Sequence, residues 1–91
     1  MTIQMKKFNT VLNGRPSAKE AALRIQQMVN GSIEKEDVTL DFENVEVLTP
    51  SYADELLSAL ERKYGVEKIK ITNTAPAVSE TLQAVRVPVT L

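Results

Sequence analysis

A small, mostly two-layer α/β fold is what this sequence predicts, with a mixed, mainly parallel sheet of about four strands and three helices. Three observations carry that expectation. Several short stretches alternate apolar and polar side chains, the period of a strand with one buried face. Longer stretches between them repeat apolar residues every three to four positions, the period of a helix packed on one side. The resulting order of strand, helix, strand, helix, strand, helix needs crossover connections, and these make a largely parallel sheet. Because the strands alternate, one face of the sheet is expected to be less covered than in a three-layer fold.

The first element spans Thr2 to about Leu12. Ile3 and Met5 alternate, Lys6-Lys7 interrupts, and Phe8, Val11 and Leu12 resume, so the segment reads as one bent strand or two short ones. Asn13-Gly14 is a turn, since both residues tolerate positive φ. Ser17-Ala18-Lys19-Glu20, with Pro16 before it, fits a capping box. Ala18, Ala21, Ala22, Ile25, Met28 and Val29 then share a helical face, and Asn30-Gly31 supplies the stop. Leu23 falls off that stripe and is expected on the surface.

Val38, Leu40 and Phe42 alternate with Thr39 and Asp41 as a one-faced strand. Glu43-Asn44 marks its end, with Val45 and Val47 continuing towards the core. Thr49-Pro50 opens the second helix, proline being favoured at the first helical position. Tyr52, Ala53, Leu56, Leu57, Leu60 and Tyr64 form its inner stripe, and Gly65 ends it. Ile69 and Ile71 alternate with the solvent-facing Lys68 and Lys70. Asn73 or Thr74 caps a third helix that tolerates Pro76 in its first turn and buries Val78, Leu82 and Val85. Val87-Pro88-Val89-Thr90-Leu91 alternates but carries proline, which places any strand there at an edge.

Ninety-one residues fit a single domain, here residues 1–91. Lys and Arg (11) nearly balance Asp and Glu (12), a net charge of −1 that advertises neither a nucleic-acid nor an anionic-membrane surface. The apolar runs are too short to span a membrane, and no apolar h-region follows the first charges, so a cytoplasmic chain is expected. Cysteine and histidine are both absent. That removes thiol nucleophiles, Ser-His triads, Cys/His zinc sites and thiol redox switches, and no metal or cofactor is expected.

Three blocks resemble the STAS domain, the module of sulfate transporters and anti-sigma factor antagonists. Leu12-Asn13-Gly14-Arg15 stands at the family's strand-turn-helix entry. The stretch from Leu40-Asp41-Phe42 to Thr49-Pro50-Ser51 looks like the strand and loop that deliver the regulatory serine of the antagonists. Asn73-Thr74-Ala75-Pro76-Ala77-Val78 is similar to a Ser-Pro-Ala-Val helix entry. Asp41-Phe42-Glu43-Asn44-Val45 and Tyr52-Ala53-Asp54-Glu55 resemble more closely a divergent STAS-like branch of unassigned function from bacteria and their mobile elements. The likeness runs from Leu12 to about Val87. At the antagonists' Asp-Ser-Ser-Gly-Leu-Gly loop this chain reads Thr49-Pro50-Ser51-Tyr52-Ala53-Asp54, so only Ser51 coincides with the phosphorylated serine.

The resemblance implies a non-enzymatic regulatory module with a protein partner, a histidine-kinase-like ATPase or an anti-sigma factor. The rival expectation is an assembly protein that self-associates without a switch, and the oligomeric state is left open. Ser51 is the candidate phosphorylation residue, and Thr49, Pro50, Ser51, Asp54, Glu55, Ser58 and Arg62 outline the expected partner surface. A phosphate on Ser51 would meet the positive end of the helix dipole, but Asp54 and Glu55 would repel it, so an ordinary first-turn or capping serine is the stronger reading of the residues alone. Asp54 and Glu55 point about 100° apart on a helix and do not converge on one ion. Arg15 is their candidate ion-pair partner if both loops lie at one end of the sheet. With no histidine and no evident lysine base beside Ser51, hydrolase or phosphotransferase chemistry ranks last.

Overall fold

The computed structural model describes residues 1–29 and 37–86 of the chain. Its strands are β1 (Thr2–Gln4), β2 (Val11–Leu12), β3 (Val38–Asp41), β4 (Val47–Leu48) and β5 (Ile69–Thr72). The helices are α1 (Arg15–Val29), α2 (Pro50–Tyr64) and α3 (Pro76–Arg86), with single 3-10 turns at Met5–Lys7 and Val66–Lys68. Three helices and parallel strands make the α/β fold the sequence predicts. The strands fall into two ladders, β1-β3-β5 and β2-β4, and every pairing among them is parallel, so the expected mixture of directions is not seen in the described residues.

The two ladders are one parallel pair of segments interrupted in the middle. Ile3 faces Leu40 in the first ladder and Leu12 faces Leu48 in the second, so the register slips by one residue between them. The 3-10 turn at Met5–Lys7 and the loop after it absorb the extra residue, much as a bulge does. The bent strand and the two short strands expected of Thr2–Leu12 are therefore the same object.

The slip also explains a misassigned valine. Asn44 sits at φ 66°, and the turn it makes breaks the alternation of β3. Val45 drops into the core, but inward packing then resumes at Leu48, leaving Val47 43% exposed beside Val11 on β2.

The in-register rows of the three-stranded ladder have opposite characters. Ile3, Leu40 and the partly buried Ile71 point inward with Val38 and Ile69, whereas Thr2, Gln4, Lys70 and Thr72 of the other face are exposed. Among the described residues, helices thus cover one face, the two-layer arrangement. The central helix is α2, which packs on α1 to one side and α3 to the other. Its Tyr52, Ala53, Leu56, Leu57 and Leu60 are all buried. Every buried residue among those described is hydrophobic. A core leucine such as Leu56 contributes roughly 1.5–3 kcal/mol by leaving water.

The helices bring three corrections. The first helix begins at Arg15, two residues before the expected Ser17 cap, because Gly14 at φ +90° lets the chain reverse directly and Pro16 is harmless where no N–H is needed. Met28 is 44% exposed rather than inward, since Ile25 and Val29 already fill the seam it would share. The third helix starts at Pro76, so neither Asn73 nor Thr74 occupies its cap position. Asn73 instead sits at φ 57° and donates its side-chain amide to Asp41 Oδ1 at 3.1 Å. The expected stop at Asn30-Gly31 and the tail strand at 87–91 lie outside the described residues.

The Asp41 carboxylate is a clip between loops. It accepts the backbone N–H of Glu43 at 2.9 Å and the amide of Asn73, tying the turn after β3 to the one after β5. Those hydrogen bonds, first the Glu43 N–H and then Asn73, with Lys6 adding positive charge, hold its pKa below the usual 3.8. The native state therefore binds this proton less readily than the unfolded chain. The stabilisation is complete above the unfolded value and fades as pH falls through the lower folded value. In a urea titration repeated across acidic pH, Asp41→Asn is expected to flatten the acid limb of stability, and an unchanged limb would show the clip is not formed.

Gly65 ends α2 at φ +99° and ψ 143°, a region nearly closed to side chains. A Cβ there would also sit 3.3 Å from Glu67 Oε1. Gly65→Ala is expected to cost about 1–3 kcal/mol in denaturant unfolding, nearly all of it backbone strain.

Candidate functional site

Parallel pairing of β2 and β4 decides where the candidate residues meet. Each strand runs directly into a helix, β2 into α1 through Asn13-Gly14 and β4 into α2 through Thr49. Both helix N-termini therefore rise from the same sheet edge, the carboxyl end of the strands, where α/β folds commonly place their sites. The ladder extends to this point, since the Thr49 N–H donates to the Leu12 carbonyl at 3.0 Å.

Thr49 caps α2 from an extended conformation, with its side-chain oxygen accepting the Tyr52 N–H at 3.4 Å. The same oxygen accepts the N–H of Gly14 at 3.2 Å. One hydroxyl thus satisfies an orphan donor of α2 and the last free N–H before α1, fixing the two helix entrances to each other. Pro50 follows at the first helical position, exposed, with no N–H to lose.

Across this joint, Arg15 at the start of α1 reaches α2. Its Nη1 lies 2.9 Å from Asp54 Oδ2 and 3.4 Å from Glu55 Oε1, so one guanidinium collects both carboxylates. The hydrogen bond with Asp54 is the main reason the guanidinium holds its proton even more firmly than usual, with Glu55 adding to it. The Arg15 and Asp54 side chains are about half exposed, and water screens their attraction. The arrangement orients these groups more than it stabilises the fold.

Ser51 occupies the second helical position of α2 and is partly buried. It does not cap the helix, because Thr49 does. Glu55, Ser58 and Arg62 continue its face, Glu55 partly buried and the other two exposed. Around the flank, Glu61 Oε2 faces Arg86 Nη2 at 2.8 Å, an ion pair joining α2 to α3. That oxygen is enclosed and makes no hydrogen bond of good angle, so the contact is ionic in character. Among the described residues, no three carboxylates gather as a metal would require. No helix there is long and apolar enough to cross a membrane.

Two features of this edge were not singled out from the sequence. One is the double acceptance by Thr49, for which the only sequence signal was a cap residue ahead of proline. The other is Tyr52, a hydroxyl-bearing ring within an otherwise aliphatic stripe. Such a residue usually marks a place where one end of the ring finds a polar neighbour or water.

Comparison with known proteins bears on this edge. The family described as "STAS-like domain of unknown function (DUF4325)" matches residues 25–79. The match includes Thr49, Pro50, Ser51, Asp54, Glu55, Ser58 and Arg62 and stops short of Arg15. No curated protein and no solved structure matches the chain.

The joint at Thr49 is testable by itself. Thr49→Val keeps the shape and removes the acceptor, and is expected to lower unfolding stability by about 1–2 kcal/mol, whereas Thr49→Ser retains most of it. Amide exchange should quicken at Gly14 and Tyr52 together in Thr49→Val, and quickening at Tyr52 alone would show that the hydroxyl caps only α2.

Proposed function

Since the chain belongs to the family of STAS-like domains matched over residues 25–79, we propose that it is a non-enzymatic regulatory module whose protein partner docks on the start and outer face of α2. Thr49, Pro50, Ser51, Asp54, Glu55, Ser58 and Arg62 form that surface. A histidine-kinase-like ATPase or an anti-sigma factor is the partner class the likeness to anti-sigma antagonists suggests.

The observation that carries the reading is the joint itself: Ser51 stands on the first turn of α2 while Arg15 holds the two nearest carboxylates. From residues alone, Asp54 and Glu55 weigh against a phosphate on Ser51. With Arg15 between them, much of their negative charge is already answered. A partner kinase would move the γ-phosphoryl group of ATP onto Ser51 Oγ, releasing ADP and the serine proton. The product dianion would meet the positive end of the α2 dipole. It would change the charge of the docking face while the buried stripe on the opposite side of the helix stayed packed.

A second reading, self-association without a switch, draws on Val11 and Val47, which pair in register and are each a little under half exposed. Light scattering over a concentration series separates the two, a stable closed oligomer favouring assembly.

The deciding experiment recovers partners from the native host with the wild-type chain and with Ser51→Asp and Arg62→Ala. Expected are a partner whose affinity falls at least about tenfold in Ser51→Asp and phosphate mapped to Ser51 after incubation with the candidate kinase and ATP. Ser51→Ala should leave stability within about 0.5 kcal/mol, because the residue does not cap. Phosphate found only elsewhere, with partner affinity unchanged in Ser51→Asp, would leave Ser51 a first-turn residue and nothing more.

A further inference from the structure

Beside the joint, a cleft of about 240 Å3 opens between α1 and the segment leading into β2, and Ser51 is not among the residues that line it. Its rim carries Lys7, Asn13, Ser17, Glu20 and Arg24, and Tyr52 closes one wall. Tyr52 is 1% exposed, yet its hydroxyl makes no hydrogen bond to any described residue. Nor is that oxygen sealed in: among the described residues, the enclosed side-chain oxygen without a hydrogen bond is Glu61 Oε2. The small part of Tyr52 that meets solvent is therefore its hydroxyl, and the cleft its side chain lines is where it emerges.

A buried ring that delivers an unpartnered hydroxyl to the wall of a polar cleft calls for a ligand atom or a held water. Burial pushes the pKa of this hydroxyl up to about 12, so at neutral pH it stays protonated and can donate. The first turn of α1 offers a second donor. The first intrahelical bond runs from the Ala18 N–H to the Gly14 carbonyl, so the Ser17 N–H before it has no acceptor within the helix. Lys7 and Arg24 add two positive charges against the one carboxylate of Glu20. Arg24 meets that carboxylate only at 3.8 Å, with both side chains more than half exposed, a contact loose enough to be exchanged for a better acceptor. Donors, a helix N-terminus and surplus positive charge select an oxyanion. The volume suits a small one, against roughly 30 Å3 for a water molecule.

We propose that this cleft binds a phosphate group, free or as a small phosphomonoester, held by the Tyr52 hydroxyl and the Ser17 N–H and drawn in by Lys7 and Arg24. The site is separate from Ser51 and does not depend on its phosphorylation. Through Tyr52 the ligand would rest on α2, and through Ser17 on α1, so occupancy would brace the same pair of helix entrances that Thr49 joins.

The test titrates the isotope-labelled full chain with inorganic phosphate, with sodium chloride matched for ionic strength, and follows the amide signals of Asn13 and Ser17. Saturable shifts are expected with phosphate and not with chloride. Tyr52→Phe is expected to weaken binding about tenfold while melting at the wild-type temperature, because the hydroxyl has no internal partner to lose. Lys7→Gln and Arg24→Gln, both surface changes, keep the test decisive if Tyr52→Phe folds poorly, and each should weaken binding several-fold. A parallel titration with glycerol 3-phosphate distinguishes the source: tighter binding than inorganic phosphate assigns the cleft to phosphomonoesters, and weaker binding to the free ion. Shifts that do not saturate, or that persist unchanged in Lys7→Gln and Arg24→Gln, would overturn the proposal.

Discussion

The side-chain oxygen of Thr49 is the point on which the candidate surface turns. It accepts one N–H from the turn before α1 and one from the first turn of α2, while its own backbone N–H extends the ladder from Leu12. A helix end ordinarily satisfies its orphan donors separately, with its own cap residue or with water. Here one residue serves two ends, so the entrances are held at fixed separation by short bonds and not by side-chain packing alone. Everything proposed for this edge, the placement of Ser51, the reach of Arg15 and the wall formed by Tyr52, depends on that fixed separation.

The arrangement has an electrostatic consequence. Two parallel strands that each lead straight into a helix bring two positive dipole ends side by side, and like partial charges in proximity are unfavourable. Asp54 and Glu55 place negative charge near the pair, and Arg15 then prevents that charge from accumulating in turn. Arg15 leaves these three side chains with a net charge of −1 instead of −2, beside two helix ends that carry N–H donors. That lowers the cost of an anion added covalently at Ser51 or bound in the neighbouring cleft.

Much of the fold was legible because local and tertiary signals agreed. Val38, Leu40 and Phe42 alternate and are buried, Thr49-Pro50 marks a helix start, and Gly65 stops α2 in a conformation that suits glycine. The misreadings share a cause. Val47 and Met28 follow an uninterrupted period and the Ser17 start of α1 follows a capping-box pattern, and each lies where a residue at positive φ or a neighbouring side chain changes the outcome. Asn44 broke the strand alternation ahead of Val47, and Gly14 let α1 begin before Ser17. For the site, chain order allowed the loops of Arg15 and of Asp54 and Glu55 to share one sheet end. It could not give the distances, nor show that Thr49 spans 35 positions to the amide of Gly14.

Tyr52 illustrates why the remainder needed three dimensions. Along the sequence it is simply the first member of the buried stripe of α2, interchangeable with phenylalanine. In the fold it stands on the helix that packs against α1, and it lines the cleft beside the turn after β2. An aliphatic residue or phenylalanine at that position would leave a dry wall, while a tyrosine puts a donor there with no internal use. Together with an unused N–H at Ser17 and two cations from separate elements, this makes a convergent set that no single segment of the chain contains. The parallel β2-β4 pair supplies the convergence, because it starts both helices at one edge, and the Thr49 oxygen keeps them there.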